Sequence, residues 1–288
     1  MWVSPLVILV VGFVCPAGAF SEPTVESEVR LEADAKAGTS ASRQVQAAFG
    51  VDAVESPDAF PENHPGVAHI LIEEEAGFGA YFKFLLHRDL DGDRHKSRAE
   101  SDRQRNEIKG YAGSEEGLKA THGQVARYRW KFRIDSDLKV SYQFCHLFQL
   151  KGVGGKDVND PVLTLSAVLS KGEPVLELRY WKGRGAREKR IELARLDSVK
   201  GAWLQCDLLV KCGEHGAYRF SVSSLDGKTI AEVSEDDVNT WREGMDFARP
   251  KWGIYRSIRD GVEGLNEVDV VSFADFRVQE LSGWPKSD

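Results

Sequence analysis

Three short stretches gather side chains that could bind an anion and move protons. ARPKWGIYRS (248–257) alternates Lys251, Gly253 and Tyr255 with Trp252 and Ile254. In a strand the ammonium and the phenol would share one face and the apolar pair the other. SDRQRNEIKG (101–110) places Arg103, Arg105, Glu107 and Lys109 on a single face. FCHLFQLKG (144–152) places Gln149 and Lys151 on one face and His146 and Phe148 on the other, unless a bulge intervenes.

This set is poor in free carboxylates, and it suits β-elimination on a uronate. The C5 proton of a uronate lies α to a carboxylate, so its removal builds negative charge on a group that is already an anion. Donors aimed at that carboxylate are worth about 10²–10³ each, and a positioned base and acid about 10²–10⁴ each. Tyr255 could serve as acid or base if cations lower its pKa, with Lys251 two positions away on the same face. Glycoside hydrolysis needs two carboxylates at a set separation. Glu267 and Asp269 in NEVDVVS share a face, but Ser272 stands where laminarinase-like hydrolases carry a further glutamate. DLDGD (89–93) has acids at alternate positions, Asp89, Asp91 and Asp93, as in a fragment of a calcium loop, but without the distant Glu of an EF-hand, so a turn with solvated acids is the plainer reading. GVGG (152–155) lacks the Lys-Ser/Thr of a phosphate loop, so nucleotide binding is not expected. His64, His69, His95, His122 and His215 show no metal-ligand spacing.

The elements that must position these residues are strands. RYRWKFRI (127–134) puts Tyr128, Trp130, Phe132 and Ile134 on one face and four bases on the other, a basic face that needs only water. About a dozen such runs, separated by turns such as SKGEP and LDGK, predict two packed antiparallel sheets, a sandwich or jelly roll. One short helix is expected near 236–245, in DDVNTWREGM.

The chain has 288 residues and a net charge of −7. Residues 20–64 hold nine acidic against three basic side chains, six of those seven charges, so a near-neutral domain follows an acidic segment. That segment, with Pro23, Pro57 and Pro61, reads as mostly disordered, with a short helix around SRQVQAAF. The apolar run before Ala17-Gly18-Ala19 reads as a secretory signal over 1–19, with an uncleaved anchor as the alternative. Val14 before Cys15 argues against lipidation. Cys145, Cys206 and Cys212 have no paired spacing and read as buried thiols. The expected layout is therefore signal 1–19, leader 20–64, β domain 65–283 and tail 284–288.

DGDRHKSRAESDRQRNEIKGY, HLFQLKGVGG, WREGMDFARPKWGIYRS and the closing FADFRV resemble, in order and spacing, the glucuronan lyase and heparin lyase I-like polysaccharide lyases, over about 66–281. The resemblance implies a concanavalin-like β-jelly roll whose concave groove binds an acidic, glucuronan-like polysaccharide and cleaves it by β-elimination. It implies Tyr255, His146, Gln149 and Arg105 as catalytic residues. Lys251, Lys151, Arg103, Glu107, His87 and Arg256 would bind substrate. No cofactor is implied for catalysis, although some members hold a structural Ca²⁺, for which Asp89, Asp91 and Asp93 are the candidates. A secreted or periplasmic monomer is expected, with no nucleic-acid partner and no membrane contact once the signal is removed. Members read His-x-His-Gln-x-Lys where this chain has His146, Leu147, Phe148, Gln149, Leu150 and Lys151, so Phe148 replaces the second histidine. His146 is then the base or a core histidine, His87 is a further candidate, and a non-catalytic carbohydrate-binding jelly roll is the alternative.

Overall fold

A computed structural model of the protein describes residues 23–60, 62–183 and 185–285. The signal expected over 1–19 lies outside the described residues. The chain opens with strand β1 (Val25–Leu31), helix α1 (Ala41–Phe49) and the two-residue strand β2 (Val54–Glu55). Then come β3 (Ile70–Glu75), β4 (Gly79–His87), β5 (Arg103–Lys109), β6 (Val125–Ile134), β7 (Cys145–Val153), β8 (Leu163–Ser170) and β9 (Glu173–Tyr180). The remaining strands are β10 (Lys189–Arg195), β11 (Leu204–Lys211), β12 (Gly216–Ser224), β13 (Thr229–Val238), β14 (Phe247–Ser257) and β15 (Val268–Leu281).

These strands form two antiparallel sheets. One runs β13-β12-β11-β6-β15-β4-β3, with β1 also paired to β15, and the other β10-β9-β8-β7-β14-β5-β2. The inner faces meet in an aromatic core: Phe148 stacks on Trp130 at 4.5 Å between centroids, and Trp252 meets Phe276 edge-on at 5.1 Å. The all-β architecture of two packed sheets agrees with the period-two reading. The basic face of β6 does turn outward, where Arg127 pairs with Asp207 and Arg133 with Glu75. Cys145, Cys206 and Cys212 are free and buried.

Two expectations fail. The segment after residue 22 is folded, not a disordered leader: β1 adds a strand along β15, and α1 tucks Val45 and Phe49 into the core, Phe49 meeting Trp252 at 5.9 Å. The helix around SRQVQAAF is present, capped by the Ser40 hydroxyl accepting from the Arg43 N–H. The helix expected at 236–245 is absent, because β13 runs to Val238 and side chains then capture the backbone. Asn239 Oδ1 accepts from the Trp241 N–H, and the Thr240 hydroxyl donates to the Lys211 carbonyl.

Candidate active site

The outward face of the β7–β14–β5 sheet collects the polar residues, and its register decides which of them meet. On one side of β14, Tyr255 lies opposite Arg105, Gly253 opposite Glu107 and Lys251 opposite Lys109. On its other side, Lys251 faces Gln149 and Tyr255 faces His146, with a register jump between Trp252 and Tyr255. A matching jump between His146 and Phe148 sets β7 against β8. The extra residue, Leu147, breaks strict alternation. Phe148 therefore points into the core, while His146 turns to the side of Tyr255, its Nδ1 2.8 Å from Ser166 Oγ. A histidine in place of Phe148 would face the core, so this departure from the expected pattern removes nothing from the face that carries Tyr255.

Gly253 makes that register possible. Its φ is +143°, and a Cβ would lie 2.1 Å from the Asn106 carbonyl oxygen of β5.

Beneath this polar face lies an ion network. Glu107, 1% exposed, accepts from Lys251 Nζ (2.5 Å), Arg105 Nη1 (2.6 Å) and the Gln149 amide. Lys251 also lies 2.7 Å from Glu55, which takes Lys109 at 2.6 Å, while Arg105 Nε donates to Asp93 at 2.6 Å. Burial alone would push the Glu107 carboxyl up, but the Lys251 and Arg105 charges outweigh it and hold it below the usual carboxylate range. Glu107 and Lys251 thus brace their neighbours and are spent on each other.

Above this floor stand the groups free to move protons. The Arg105 guanidinium lies 3.6 Å from the Tyr255 ring centroid, while Lys251 Nζ is 6.0 Å from it. Burial raises the Tyr255 phenol above its ordinary value, and the opposing charge of Arg105 does not reverse that. The expected lowering by Lys251 does not prevail, because burial dominates at the phenol and the ammonium, 6.0 Å from the ring, is turned toward Glu107 and Glu55. Tyr255 accordingly remains a proton donor at neutral pH. His146, 6.1 Å from Tyr255 between centroids and stacked on Phe144, is held well below the usual imidazole range, first by burial and then by Arg179, Lys151, Arg105 and Lys251. It is neutral at neutral pH, with a lone pair to accept a proton. Burial, with Lys251 and Arg105 nearby, brings Lys151 down to about 8. Arg103 sits on the same rim, over the Phe144 ring.

Eight of the expected residues thus share one face: Tyr255, His146, Gln149, Arg105, Lys251, Lys151, Arg103 and Glu107. The others do not. Arg256 points between the sheets to Gln104 and to the buried Asp269. That ion pair also removes Asp269 from any hydrolytic carboxylate pair with Glu267, which is exposed. His87 belongs to β4 and contacts Asp91. The three aspartates expected to hold calcium diverge: Asp89 pairs with Arg88, Asp91 is buried among imidazoles, and Asp93 holds Arg105. Glu55, Thr164 and Ser166 were not singled out in the sequence. Glu55 lies in the segment read as disordered, and Thr164 and Ser166 sit in a strand, LTLSAVLS, whose composition reads as plain core.

No family model matches the chain, and no curated protein matches it. Solved structures do. An endo-β-1,4-glucuronan lyase from the fungus Trichoderma reesei superposes with a TM-score of 0.55 at 15% identity, covering 89% of this chain and 95% of that one. A variant of alginate lyase Aly36B in complex with alginate trisaccharide gives 0.57 at 11% identity, covering 89% and 99%. A family 7 alginate lyase variant in complex with substrate gives 0.53 at 9% identity, covering 76% and 84%. The protein therefore shares the β-jelly-roll fold of these polysaccharide lyases. Coverage of 89% exceeds what residues 65–283 could supply, so the matched fold extends into the segment before residue 65.

Proposed function

We propose that the protein is a secreted polysaccharide lyase that cleaves a uronate polymer, glucuronan-like, by β-elimination. The observation that carries this reading is the pairing of a neutral imidazole, His146, with a protonated phenol, Tyr255, among the cations Arg103, Arg105 and Lys151. His146 would take the C5 proton, and the electrons of that bond would form the C4=C5 double bond as the C4–O4 bond breaks. Tyr255 would give its proton to the departing O4 and recover one from the imidazolium through water. Lys151 and Arg103 would hold the substrate carboxylate as charge builds on it. Arg105 and Gln149 would act from beneath, keeping Tyr255 and the floor in register.

The test is the ultraviolet absorbance of the unsaturated uronate, followed on glucuronan, alginate and heparin. Wild type should produce it on at least one, and Tyr255→Phe should lower the rate about 10²–10⁴-fold with binding nearly unchanged. A Tyr255→Phe variant of undiminished rate would remove the proposed acid. Binding without absorbance on any acidic polymer would identify a silent carbohydrate-binding module.

A further inference from the structure

On the opposite side of β5 from Tyr255, four side chains converge that the elimination chemistry does not use. One ligand atom from each of His64, His69, His87 and Asp91 lies within 4.8 Å of all the others. Asp91 Oδ1 is 2.6 Å from His64 Nδ1 and 3.0 Å from His69 Nε2, those two nitrogens are 3.0 Å apart, and Asp91 Oδ2 is 3.3 Å from His87 Nδ1. We propose that this cluster is a structural site for a divalent transition-metal ion, with zinc as the expected occupant.

Two geometric facts point to a metal. Zinc bonds of about 2.0–2.1 Å in a tetrahedron separate neighbouring ligand atoms by about 3.3 Å; the Asp91, His64 and His69 atoms stand slightly closer, at 2.6–3.0 Å, and His87 Nδ1 is 3.3 Å from the second Asp91 oxygen. The three imidazoles also stand as a tripod. Their centroids are 4.9, 5.0 and 5.1 Å apart, and their planes cross at 71°, 89° and 88°. Rings ligating one tetrahedral ion have centroids about 5 Å apart.

The surroundings are built to hold the ligands. Asp58 Oδ1 is 2.8 Å from His69 Nδ1, which leaves Nε2 as the inward-facing nitrogen, the carboxylate–histidine–metal arrangement. Gln104 donates to the carbonyls of His87 and Asp91, and Asn106 to that of His69. Asn63, beside His64, accepts from the Gly92 N–H. Asp91 and His69 are fully buried, while the His64 and His87 side chains retain 12% and 17% exposure, an entry for the ion.

Three imidazoles and one carboxylate favour zinc or its neighbours over calcium, which wants six to eight oxygens. With four protein ligands the site is closed, as structural zinc sites are. Its role follows from its place. Asp91, Gly92 and Asp93 are consecutive, so an ion on Asp91 fixes the turn that presents Asp93 to Arg105.

The test uses the full protein as purified, stripped with chelator and then offered Zn²⁺, Co²⁺ or Ca²⁺. The expected result is about one zinc retained per chain, with a Tm several degrees lower after chelation and restored by Zn²⁺ but not Ca²⁺. Co²⁺ should give the intense visible bands of a tetrahedral site. His64→Gln, at a partly exposed ligand, should abolish retention while circular dichroism stays native. Asp58→Asn should weaken zinc about 10- to 100-fold. Trace metal only, no cobalt bands and a Tm indifferent to Zn²⁺ in wild type would overturn the proposal, leaving a cluster held by protons. Restoration by Ca²⁺ alone would overturn it as well.

Discussion

At the scale of single residues, the two groups proposed to handle protons are separated by environment. Burial among four cations keeps His146 neutral, and burial keeps Tyr255 protonated despite Arg105 beneath its ring. A base works only when deprotonated, so the acid limb of the rate–pH profile reports its pKa. With His146 as base, the rate should already be on its plateau at pH 6.5, since its pKa lies well below that value. With Lys151 as base, the rate would climb through about pH 8 instead. Measuring kcat/KM across that range decides between them, and a midpoint near 8 would remove His146 from the role. Residue types were the legible part of the site: the Lys251/Tyr255, Arg103/Arg105 and Gln149/Lys151 pairs all lie on the face that alternation predicts. What one residue does to another was less legible. Spacing predicts that Lys251 lowers the Tyr255 phenol, but burial dominates there and the ammonium turns to two carboxylates, one of which, Glu55, is distant in sequence.

At the scale of elements, alternation placed β5 and β14 correctly, and at β7 the bulge that the sequence leaves open is present, one inserted residue reversing the parity of His146. A bulge leaves little mark in composition, because Leu147 and Phe148 are both apolar and both buried. Gly253 is the more visible sign of the irregular register, a glycine inside an otherwise regular strand. It tests the element directly. Gly253→Ala puts a methyl 2.1 Å from a backbone oxygen and 2.7 Å from Glu107 Cα, at a φ of +143°. The neighbour is main chain and cannot swing aside. The substitution should cost about 1–3 kcal/mol and shift Tyr255 off Arg105. Thermal unfolding and turnover well below Tm should both fall, and an alanine variant of unchanged Tm and rate would show that the register does not depend on this glycine. The divergence of Asp89, Asp91 and Asp93 fits the turn reading of DLDGD: the segment turns over β5 and sends each carboxylate to a different cation or ring.

At the scale of the whole molecule, composition predicts a domain boundary at residue 65, and the fold puts it at least forty residues earlier. Composition misled there because β1 buries only Val29 and Leu31, and α1 buries only Ala41, Val45 and Phe49, so each element looks polar by itself. Their contribution comes from what they close. β1 extends the sheet along β15, α1 seals one end of the core against Trp252 and Phe276, and β2 brings Glu55 to the ammonium of Lys251. Each buried aliphatic or aromatic side chain contributes about 1.5–3 kcal/mol, and stripping Glu55 from a buried lysine adds a further penalty. Together these approach the total of about 5–15 kcal/mol that separates a folded domain from its unfolded chain. A protein beginning at residue 65 should therefore fail to unfold cooperatively, or melt far below one beginning at residue 23, when the two are compared by calorimetry. Equal melting temperatures would restore the boundary at residue 65 and make the segment an appendage. A milder change separates closure from charge: Phe49→Ala should cost about 3–5 kcal/mol while leaving the Glu55–Lys251 pair intact, so a well-folded remainder of that variant should still turn over substrate at low temperature.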